Sequence, residues 1–535
     1  MNLTPGQQEV LDSKAPVLVV LGGAGTGKTT TAAALVRATL EGAENEGRRE
    51  RALFLSFSRA AAEQILSRSG DVLGTYRDRV EITTFHGFAW RLISKWGSVL
   101  GVNDPKLFSP SEEKVFGKSG GLGYEDLIPL ALRIMSIPAV RTHLAARWST
   151  VVVDEFQDTN NEQWEFILAL RAGARLVLLG DLDQCIYKNL PNNPGVGPQR
   201  VEAAMSLDGS AMITLPAVSH RDPSYIIPAA ANSIRDRDFS SQALRAALDA
   251  DMLRIEREPD LANEAMEVVS LVEQLAGEGL SVGVFSHHID STASLSDELN
   301  EAGVAHDIVG LPEAVDAALR TQYLMLQYTC GEASPEEVLR ALAIFVASAE
   351  RGKSAPKLAR MIANLVDRPQ SLTARLIEMG DQLSKAPSLK AALNVAARSY
   401  ESLGLPRGAS AWRNATKLLS SILGPRALSL EGLPPQGVGH IREAIEQQHL
   451  TLLTNENVSD VAPVQLMGLY QTKGREVDAA IVLLRSSDFY GSELEPMPDG
   501  SKLLYVLMTR ARKRTVVLAI GNPMKALVAP LVDLA

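Results

Sequence analysis

Residues 22–30, GGAGTGKTT, carry the clearest chemistry in the sequence, since they follow the apolar run VLVVL and precede a helical pattern. Gly22, Gly27, Lys28 and Thr29 match the spacing of a phosphate-binding loop, in the strand–loop–helix context that this spacing requires. Glycines there let backbone N–H groups close on phosphate oxygens, and the helix N-terminus adds positive partial charge. A glycine-rich turn that matches by accident is the alternative, and the flanking strand and helix argue against it.

An acidic pair ends a second apolar run, VVVDEFQD at residues 151–158. Two carboxylates at the end of a buried strand are costly to desolvate unless a cation meets them. A phosphate loop supplies that cation as Mg²⁺, so we expect Asp154 to hold the metal and Glu155 to activate the attacking water. A surface turn of no consequence is the alternative. Loop and acidic pair together predict an enzyme that hydrolyses ATP with Mg²⁺.

These residues need a sheet to position them, and the sequence predicts one. APVLVVLGG, RALFLSFS, STVVVDEF and ARLVLLGD are typical of buried strands, with helical patterns such as TTAAALVRATL and EQWEFILALRA between them. This alternation predicts a mostly parallel α/β sheet. A second group of strands, in MLRIERE, SVGVFSHH, AAIVLL and RTVVLAI, predicts a second α/β domain that a helical insertion interrupts. The charged run EGAENEGRRER (41–51) is predicted to be a solvated loop.

Length and composition limit the class of protein. A chain of 535 residues is too long for one core, and 46% hydrophobic with 22% charged residues is typical of globular domains. The sequence has no run of about 18 apolar residues and no signal-peptide pattern. Two cysteines are too few for a disulfide framework or a zinc ribbon. We therefore expect a cytoplasmic protein with no membrane partner. Its net charge of −10 argues against coating nucleic acid by bulk charge, but leaves room for a local basic groove.

Segments along the chain, in order from residue 3 to residue 520, resemble the motifs of superfamily 1 helicases of the UvrD/Rep/PcrA type. Besides the phosphate loop, these segments are LTPGQ, FLSFSRAAAEQI, TTFHGFAWRLI, DEFQDT, LLGDLDQCIY, SHRDPSYIIPAAANSI, LMGLYQTKGREVDAAIVL and LLYVLMTRARKR. Motifs that match in family order are far more specific than any one of them.

The resemblance implies two RecA-like parallel-sheet domains, with a reduced accessory insertion in the first and a helical insertion in the second. The implied boundaries are 1–86 with 146–214 for the first RecA-like domain (1A), 87–145 for its reduced insertion (1B-like), 215–329 with 461–535 for the second RecA-like domain (2A), and 330–460 for the reduced helical insertion (2B-like).

The resemblance also implies the residues of the ATP site. Gln184 is placed near the γ-phosphate, and Arg510 is the arginine finger. The implied catalytic residues are Lys28, Asp154, Glu155, Gln184, Arg221 and Arg510. The implied nucleotide-binding residues are Gln7 at the adenine, Gly22, Gly23, Ala24, Gly25, Thr26, Gly27, Lys28, Thr29, Thr30, His220 and Glu476. The implied Mg²⁺ ligands are Thr29 and Asp154.

For the nucleic-acid strand, the resemblance implies stacking on Phe57 and Tyr187 and a contact from His86. Taken alone, each of these side chains is more often a core or surface residue, and only its position within a motif indicates a nucleic-acid contact.

Several departures from the family pattern concern residues expected to bind the nucleic-acid strand. Asn189 stands where a second aromatic residue is usual, Gly468 and Tyr470 stand where threonine and histidine are usual, and His220 replaces a tyrosine expected to stack on adenine. The insertions are also small. These departures predict weak strand separation by the isolated chain. Compact relatives of this build include nuclease partners in anti-phage systems, such as the Gabija helicase-like subunit.

Three hypotheses follow from the resemblance. The first is an ATP-driven motor that moves 3′ to 5′ on single-stranded DNA and unwinds duplex. The second is a DNA-activated ATPase switch that senses single strands or DNA ends and regulates a partner such as a nuclease, in anti-phage defence or DNA repair. The third is a non-catalytic adaptor, and the intact catalytic residues argue against it.

Overall fold

The computed structural model describes most of the chain. The described residues are 3–57, 62, 65, 70–117, 121–171, 173–188, 193–287, 290–309, 313–350, 354–363, 366, 368–433, 463–486, 488, 494–521 and 527–534. The predicted departure at Asn189 lies outside them.

The first sheet has six parallel strands in the order β3-β2-β4-β5-β1-β6. They are β1 (Val17–Leu21), β2 (Ala52–Ser56), β3 (Val80–Thr84), β4 (Thr150–Val153), β5 (Arg175–Gly180) and β6 (Ser210–Thr214). The strands predicted from apolar runs are β1, β2, β4 and β5, and they occupy the centre of the sheet. Both edge strands, β3 and β6, were absent from the prediction, because part of each is exposed or half-buried and neither forms an apolar run.

The helices of this first part alternate with the strands, as predicted. They are α1 (Pro5–Asp12), α2 (Lys28–Asn45), α3 (Phe85–Trp96), α4 (Pro110–Phe116), α5 (Leu127–Met135), α6 (Pro138–Ala145), α7 (Asn161–Arg171) and α8 (Pro198–Met205). Helix α2 continues through Asn45, so the prediction of a loop from residue 41 was wrong over residues 41–45. Leu40 and Ala43 are buried there, and this burial favours the helix despite the charged residues around them.

The second sheet also has six parallel strands, in the order β7-β12-β11-β8-β10-β9. They are β7 (Leu253–Glu258), β8 (Val282–Ser286), β9 (Asp307–Ile308), β10 (Val464–Gly468), β11 (Val477–Arg485) and β12 (Ala511–Ile520). The helices of this part are α9 (Ile226–Arg235), α10 (Gln242–Asp249), α11 (Glu264–Gly277) and α12 (Asp290–Glu301), and, numbered after the helices of the insertion, α19 (Pro498–Met508) and α20 (Ala529–Val532). Two parallel-sheet α/β domains confirm the predicted fold class.

The chain divides into two compact units, and both sheets lie in the larger one, which spans Met1–Asn103, Ile128–Val309 and Asn455–Ala535. The smaller unit, Asp104–Leu127 with Gly310–Thr454, is helical over its described residues. Besides α4 it contains α13 (Glu313–Thr329), α14 (Pro335–Ser348), α15 (Lys357–Ile362), α16 (Gln370–Ser384), α17 (Leu389–Leu403) and α18 (Ala409–Leu428).

The helical unit has its own core, centred on Trp412. The Trp412 ring lies 4.7 Å from that of Phe345, and its Nε1 donates to the Ala396 carbonyl at 3.0 Å. Helix α4 belongs to this core, because Val115 is buried there and the Arg340 guanidinium carbon lies 3.8 Å from the centre of the Phe116 ring. Across the described part of the chain, no helix is long and apolar enough to cross a membrane.

Parallel topology gathers the chemically active residues of the first sheet at one edge. The phosphate loop follows β1, Asp154 follows β4 and Asp181 follows β5, and these three strands lie side by side in the order β4-β5-β1. Ligands of open parallel sheets bind outside the carboxyl ends of the strands. The site should therefore lie at this edge.

Candidate functional site

The phosphate loop folds as its glycines predict. Gly25 and Gly27 have φ of 77° and 82°, in the left-handed region that suits glycine, and Gly27 begins α2 as its N-cap. The Lys28 ammonium donates to the carbonyls of Gly22 at 2.6 Å and Gly23 at 3.0 Å. The Thr26 hydroxyl also donates to Gly23, at 3.0 Å. The structure thus brings Lys28 across the mouth of a compact loop, where a phosphate chain would meet it.

The predicted adenine contacts lie together beside Gly27. A Cβ atom on Gly27 would come within 2.8 Å of Gln7 Nε2 and 3.3 Å of His220 Cδ2. Gln7 is buried, its amide nitrogen donates to the Thr26 carbonyl at 3.3 Å and lies 3.5 Å from His220 Nε2, and its Oε1 accepts from the Thr4 amide. His220 is exposed, with its backbone amide donating to Gly25. Gln7 and the imidazole therefore flank the start of α2.

The two carboxylates after β4 differ in their surroundings. Asp154 is buried and accepts from the Glu155 amide at 3.1 Å, while the Glu155 carboxylate accepts from Gln157 Nε2 at 2.8 Å. Burial, with Glu155 beside it, raises the pKa of Asp154 to about 7. Burial acts in the same direction on Glu155, but Lys473 and Lys28 outweigh it and hold the pKa of Glu155 below its ordinary value. Glu155 is therefore the ionised member of the pair.

Asp154 and Thr29 are the residues that could hold Mg²⁺. A carboxylate and a hydroxyl are the hard oxygen donors this ion prefers, with substrate phosphates and waters completing the octahedron. Asp154 is buried and has no ion-pair partner among the described residues, which fits a cation bound there. In the described part of the chain, no group of three or more His, Cys, Asp or Glu side chains is arranged for a metal. Thr29 and Thr30 lie half-buried in the first turn of α2.

Lys473, which the sequence analysis did not assign, enters this site from the second sheet. It follows β10, is 5% exposed, and its ammonium pairs with Asp158 and lies 3.7 Å from Glu155 Oε2. It also donates to the Gln184 carbonyl at 2.7 Å. Burial lowers the pKa of Lys473, but Asp158 and Glu155 outweigh it and hold the pKa above its ordinary value. Its position three residues before Glu476, within a segment already singled out, is the signal that could have found it.

Arg510 joins the second sheet to the segment that follows β5. It is 2% exposed, and its Nη2 donates to Gln184 Oε1 at 3.0 Å, while Gln184 Nε2 donates to Asp181 at 2.7 Å. Burial and the neighbouring Arg221 lower the pKa of Arg510 to about 10, so the guanidinium stays charged at neutral pH. The structure thus brings Gln184 and Arg510 together.

Arg221 and Glu476 form an ion pair beside the phosphate loop. Arg221 also donates to the Thr509 carbonyl, and a Cβ on Gly25 would lie 3.1 Å from the Arg221 Cβ. The buried Arg221 Nε has no hydrogen-bond partner among the described residues. The two predicted nucleotide contacts therefore lie together, and this arginine keeps one donor uncommitted.

The predicted strand contacts fall into two groups. Phe57 follows β2, with its ring 5.2 Å from that of Phe85, and the half-buried His86 lies in the first turn of α3, after the neighbouring β3. Burial lowers the pKa of His86 to about 4, so this imidazole is neutral at physiological pH.

Tyr187 instead pairs with Tyr470, whose ring lies 5.9 Å away and whose carbonyl accepts from the Tyr187 hydroxyl at 3.0 Å. Tyr470 is 41% exposed, and the Lys473 ammonium lies 5.5 Å from the centre of the Tyr187 ring. Tyr470, which the sequence analysis named only as a departure from the family pattern, thus contributes an exposed aromatic ring. Gly468 ends β10, and its amide donates to Gln471.

Comparison with known proteins finds sequence similarity to ATP-dependent DNA helicases. A family model described as an AAA domain matches residues 7–189. The ATP-dependent DNA helicase PcrA of Bacillus subtilis (strain 168) is 24% identical over 250 residues, which cover 35% of this chain and 34% of that helicase. The ATP-dependent DNA helicase Rep of Escherichia coli (strain K12) is 26% identical over 250 residues, or 35% of this chain and 37% of Rep. The chain is a relative of the UvrD/Rep/PcrA helicases of superfamily 1.

A third relative belongs to an ATP-dependent helicase/nuclease of Streptococcus sanguinis (strain SK36). It is 25% identical over 194 residues, or 34% of this chain and 16% of that relative. The chain aligns with about a third of the length of PcrA and Rep. The range matched by the family model includes Gln7, Lys28, Glu155 and Tyr187. Arg510, like Arg221 and Glu476, lies beyond it.

Proposed function

We propose that this chain is an ATP-dependent motor that moves along single-stranded DNA and couples hydrolysis to the meeting of its two RecA-like domains. The observation that carries this proposal is the contact between Arg510 and Gln184, because it brings a buried cation of the second sheet to the carboxyl edge of the first. The relationship to ATP-dependent DNA helicases supports both the nucleotide and the substrate class.

Each residue of the nucleotide site has a proposed role. Lys28 and the amides of the phosphate loop, residues 22–27, bind the phosphates, with Thr30 beside them, and Thr29 and Asp154 hold Mg²⁺. Glu155 accepts a proton from the attacking water, and Gln184 orients the γ-phosphate. The proposed adenine and ribose contacts are Gln7, His220 and Glu476, and the proposed cations at the γ-phosphate are Arg221 and Arg510.

The coupling of hydrolysis to domain contact follows from the position of the arginine finger in the second domain. An arginine finger stabilises the charge of phosphoryl transfer only while its domain meets the phosphate. Such a finger accelerates hydrolysis by roughly 10³- to 10⁵-fold, which corresponds to lowering the activation free energy by about 4 to 7 kcal/mol. Hydrolysis therefore proceeds in the arrangement in which the two RecA-like domains touch, and product release permits them to part.

The DNA strand is proposed to contact the aromatic side chains at the same edge of the molecule. Phe57 and Tyr187 offer faces on which bases stack with little sequence preference, and His86 supplies a neutral polar contact. The 3′–5′ direction is proposed from the similarity to helicases of the UvrD type. So are the domain boundaries, with 1A at 1–86 and 146–214, its insertion at 87–145, 2A at 215–329 and 461–535, and its insertion at 330–460.

A second candidate function is a DNA-activated ATPase switch that regulates a nuclease, in DNA repair or anti-phage defence. The similarity to part of a helicase/nuclease and the departures at Gly468 and Tyr470 favour it. Such a switch would hydrolyse ATP in response to single strands or DNA ends without unwinding long duplexes.

Steady-state ATPase with and without single-stranded DNA, together with strand displacement on duplexes tailed at either end, separates the two functions. DNA-stimulated hydrolysis with displacement from a 3′ tail supports the motor. Stimulated hydrolysis with little displacement supports the switch, and this is the outcome that we expect from the isolated chain. An absence of hydrolysis, with Glu155→Gln behaving like wild type, would exclude both.

A further inference from the structure

One side chain of the second sheet touches the phosphate loop away from the predicted arginines. Tyr505, on α19, is 4% exposed, and its hydroxyl oxygen accepts from the backbone amide of Ala24 at 3.3 Å. The same oxygen would lie 3.6 Å from a Cβ on Gly23. The phenol therefore spans from the second domain to the loop that should bind the phosphates.

The Tyr505 ring is itself held across the interface. The Arg235 guanidinium lies 5.6 Å from the ring centre and pairs with Asp183 at 2.6 Å. One turn of α19 earlier, the Lys502 ammonium donates to the Leu182 carbonyl at 2.8 Å. Helices α9 and α19 thus hold the turn after β5 while the phenol holds the loop after β1.

The ring and the hydroxyl have separable tasks. The ring packs in the core of the second sheet, among residues such as Leu504 and Ile227. The hydroxyl bonds Ala24 and lines a cavity of about 340 Å³ shared with Gly22 and Asp181. Burial, with Asp181 nearby, raises the pKa of Tyr505, so the phenol keeps its proton at neutral pH. A substitution that removes only the oxygen will therefore leave the packing in place.

We propose that Tyr505 is a positioning residue for ATP hydrolysis, whose hydroxyl fixes the phosphate loop at Ala24 when the second domain meets the first. This inference rests on the proposed ATPase function. It makes the conformation of the loop depend on the same domain contact that delivers Arg510. A neutral hydrogen bond of this kind changes an equilibrium by about 2- to 13-fold, which sets the size of the expected effect.

Tyr505→Phe in the full chain tests the inference, with Tyr225→Phe as the matched control. Tyr225 lines the same cavity, but its hydroxyl accepts from Asn232 within its own domain, at 3.5 Å. At saturating ATP and single-stranded DNA, Tyr505→Phe should lower kcat by about 2- to 13-fold with an unchanged melting temperature. Tyr225→Phe should match wild type. In an Arg510→Ala background, Tyr505→Phe should have little further effect, because both act through the same domain contact.

Equal kcat in wild type and Tyr505→Phe would overturn the inference, as would a lowered melting temperature with unchanged kinetic constants. If the wild type does not hydrolyse ATP, the proposed function fails, and amide hydrogen exchange of residues 22–27 then decides the inference separately. Faster exchange of that segment in Tyr505→Phe than in Tyr225→Phe would uphold the phenol as the group that fixes the loop. Equal exchange would reject it.

Discussion

The two RecA-like domains share an architecture of six parallel strands but bring opposite charges to their meeting point. The first presents buried carboxylates at the ends of its central strands, and the second presents cations. The carboxylates are Asp154, Glu155, Asp158 and Asp181. The cations that reach the first domain are Lys473, Lys502, Arg235 and Arg510.

This contrast in charge explains how the site is completed. Lys473 neutralises Asp158 and lies near Glu155, and Arg510 meets Gln184. Among the described residues, Asp154 has no ion-pair partner, whereas Asp158 pairs with Lys473, and burial raises the pKa of both carboxyls to about 7. The second domain therefore brings a cation that pairs with Asp158 and lies near Glu155, but none that pairs with Asp154 among the described residues.

The largest effect on kcat should follow from removing Arg510, the proposed arginine finger. Arg510→Ala should keep ATP binding near normal while lowering kcat by up to roughly 10³- to 10⁵-fold, because the charge of the transition state loses its partner. Much of the stimulation by DNA should disappear as well, since the strand would no longer favour a productive arrangement. Lys513→Ala, an exposed cation three residues along, is the control. Stimulation that survives unchanged in Arg510→Ala would contradict the proposed division of charge between the domains.

The next effect concerns the carboxylate that faces the water. Glu155→Gln should retain nucleotide binding and lower kcat by about 10²- to 10⁴-fold, the range for a positioned general base. Nucleotide affinity and single-turnover hydrolysis should be measured together, with the exposed Glu162→Gln as the control. Wild-type turnover in Glu155→Gln would show that the water-activating group lies elsewhere.

Removing Lys473 should leave a buried negative charge of the first domain without its cation. Lys473→Ala leaves Asp158 buried without its cation, at a cost of about 3 to 5 kcal/mol in the arrangement where the domains meet. We expect kcat to fall by roughly 150- to 5,000-fold. Adding Asp158→Asn should restore part of the rate, because the uncompensated charge is then gone. A double variant no faster than Lys473→Ala would mean that this ion pair does not stabilise the domain contact.

The smallest effect is expected at the strand surface, where stacking rather than charge operates. Tyr187→Ala and Tyr470→Ala should each weaken binding of single-stranded DNA by about 5- to 150-fold, the range for loss of one stacked base. Tyr76→Ala is the control, because Tyr76 precedes β3 and so lies at the amino-terminal ends of the strands of the first sheet. Affinity should also fall steeply with salt, because phosphate contacts release counterions. A flat salt response or a strong sequence preference would remove this model of the surface.

The central elements of the fold were predictable because burial leaves a local pattern. The runs of valine and leucine in β1, β4 and β5 are buried on both faces, and each was predicted from its residues alone. β3, β6, the two-residue β9 and β10 were not predicted. The first three are edge strands that are partly exposed and carry no apolar run, whereas β10 is buried but its short segment VQLMG is interrupted by a glutamine and ends in glycine.

The sequence also marked those parts of the candidate nucleotide site whose residues lie close together along the chain. Gly22 to Thr29 and the pair Asp154 and Glu155 act through short spacings that the chain displays directly. Lys473 and Tyr505 were missed because their partners, Asp158 and Ala24, lie 315 and 481 positions away. Both lie in segments that the sequence analysis singled out, but local spacing does not show which distant residue each side chain contacts.

Neighbouring residues are enough to define the class of chemistry: a phosphate loop, an acidic strand end and the alternation of strands and helices around them can each be recognised locally. It takes the folded chain to establish which cation meets which carboxylate, that Tyr470 pairs with Tyr187, and that Asp154 stays without an ion-pair partner among the described residues. The physical reason is that backbone conformation depends on residues a few positions apart, whereas charge compensation in a buried site depends on groups that folding brings together from distant parts of the chain.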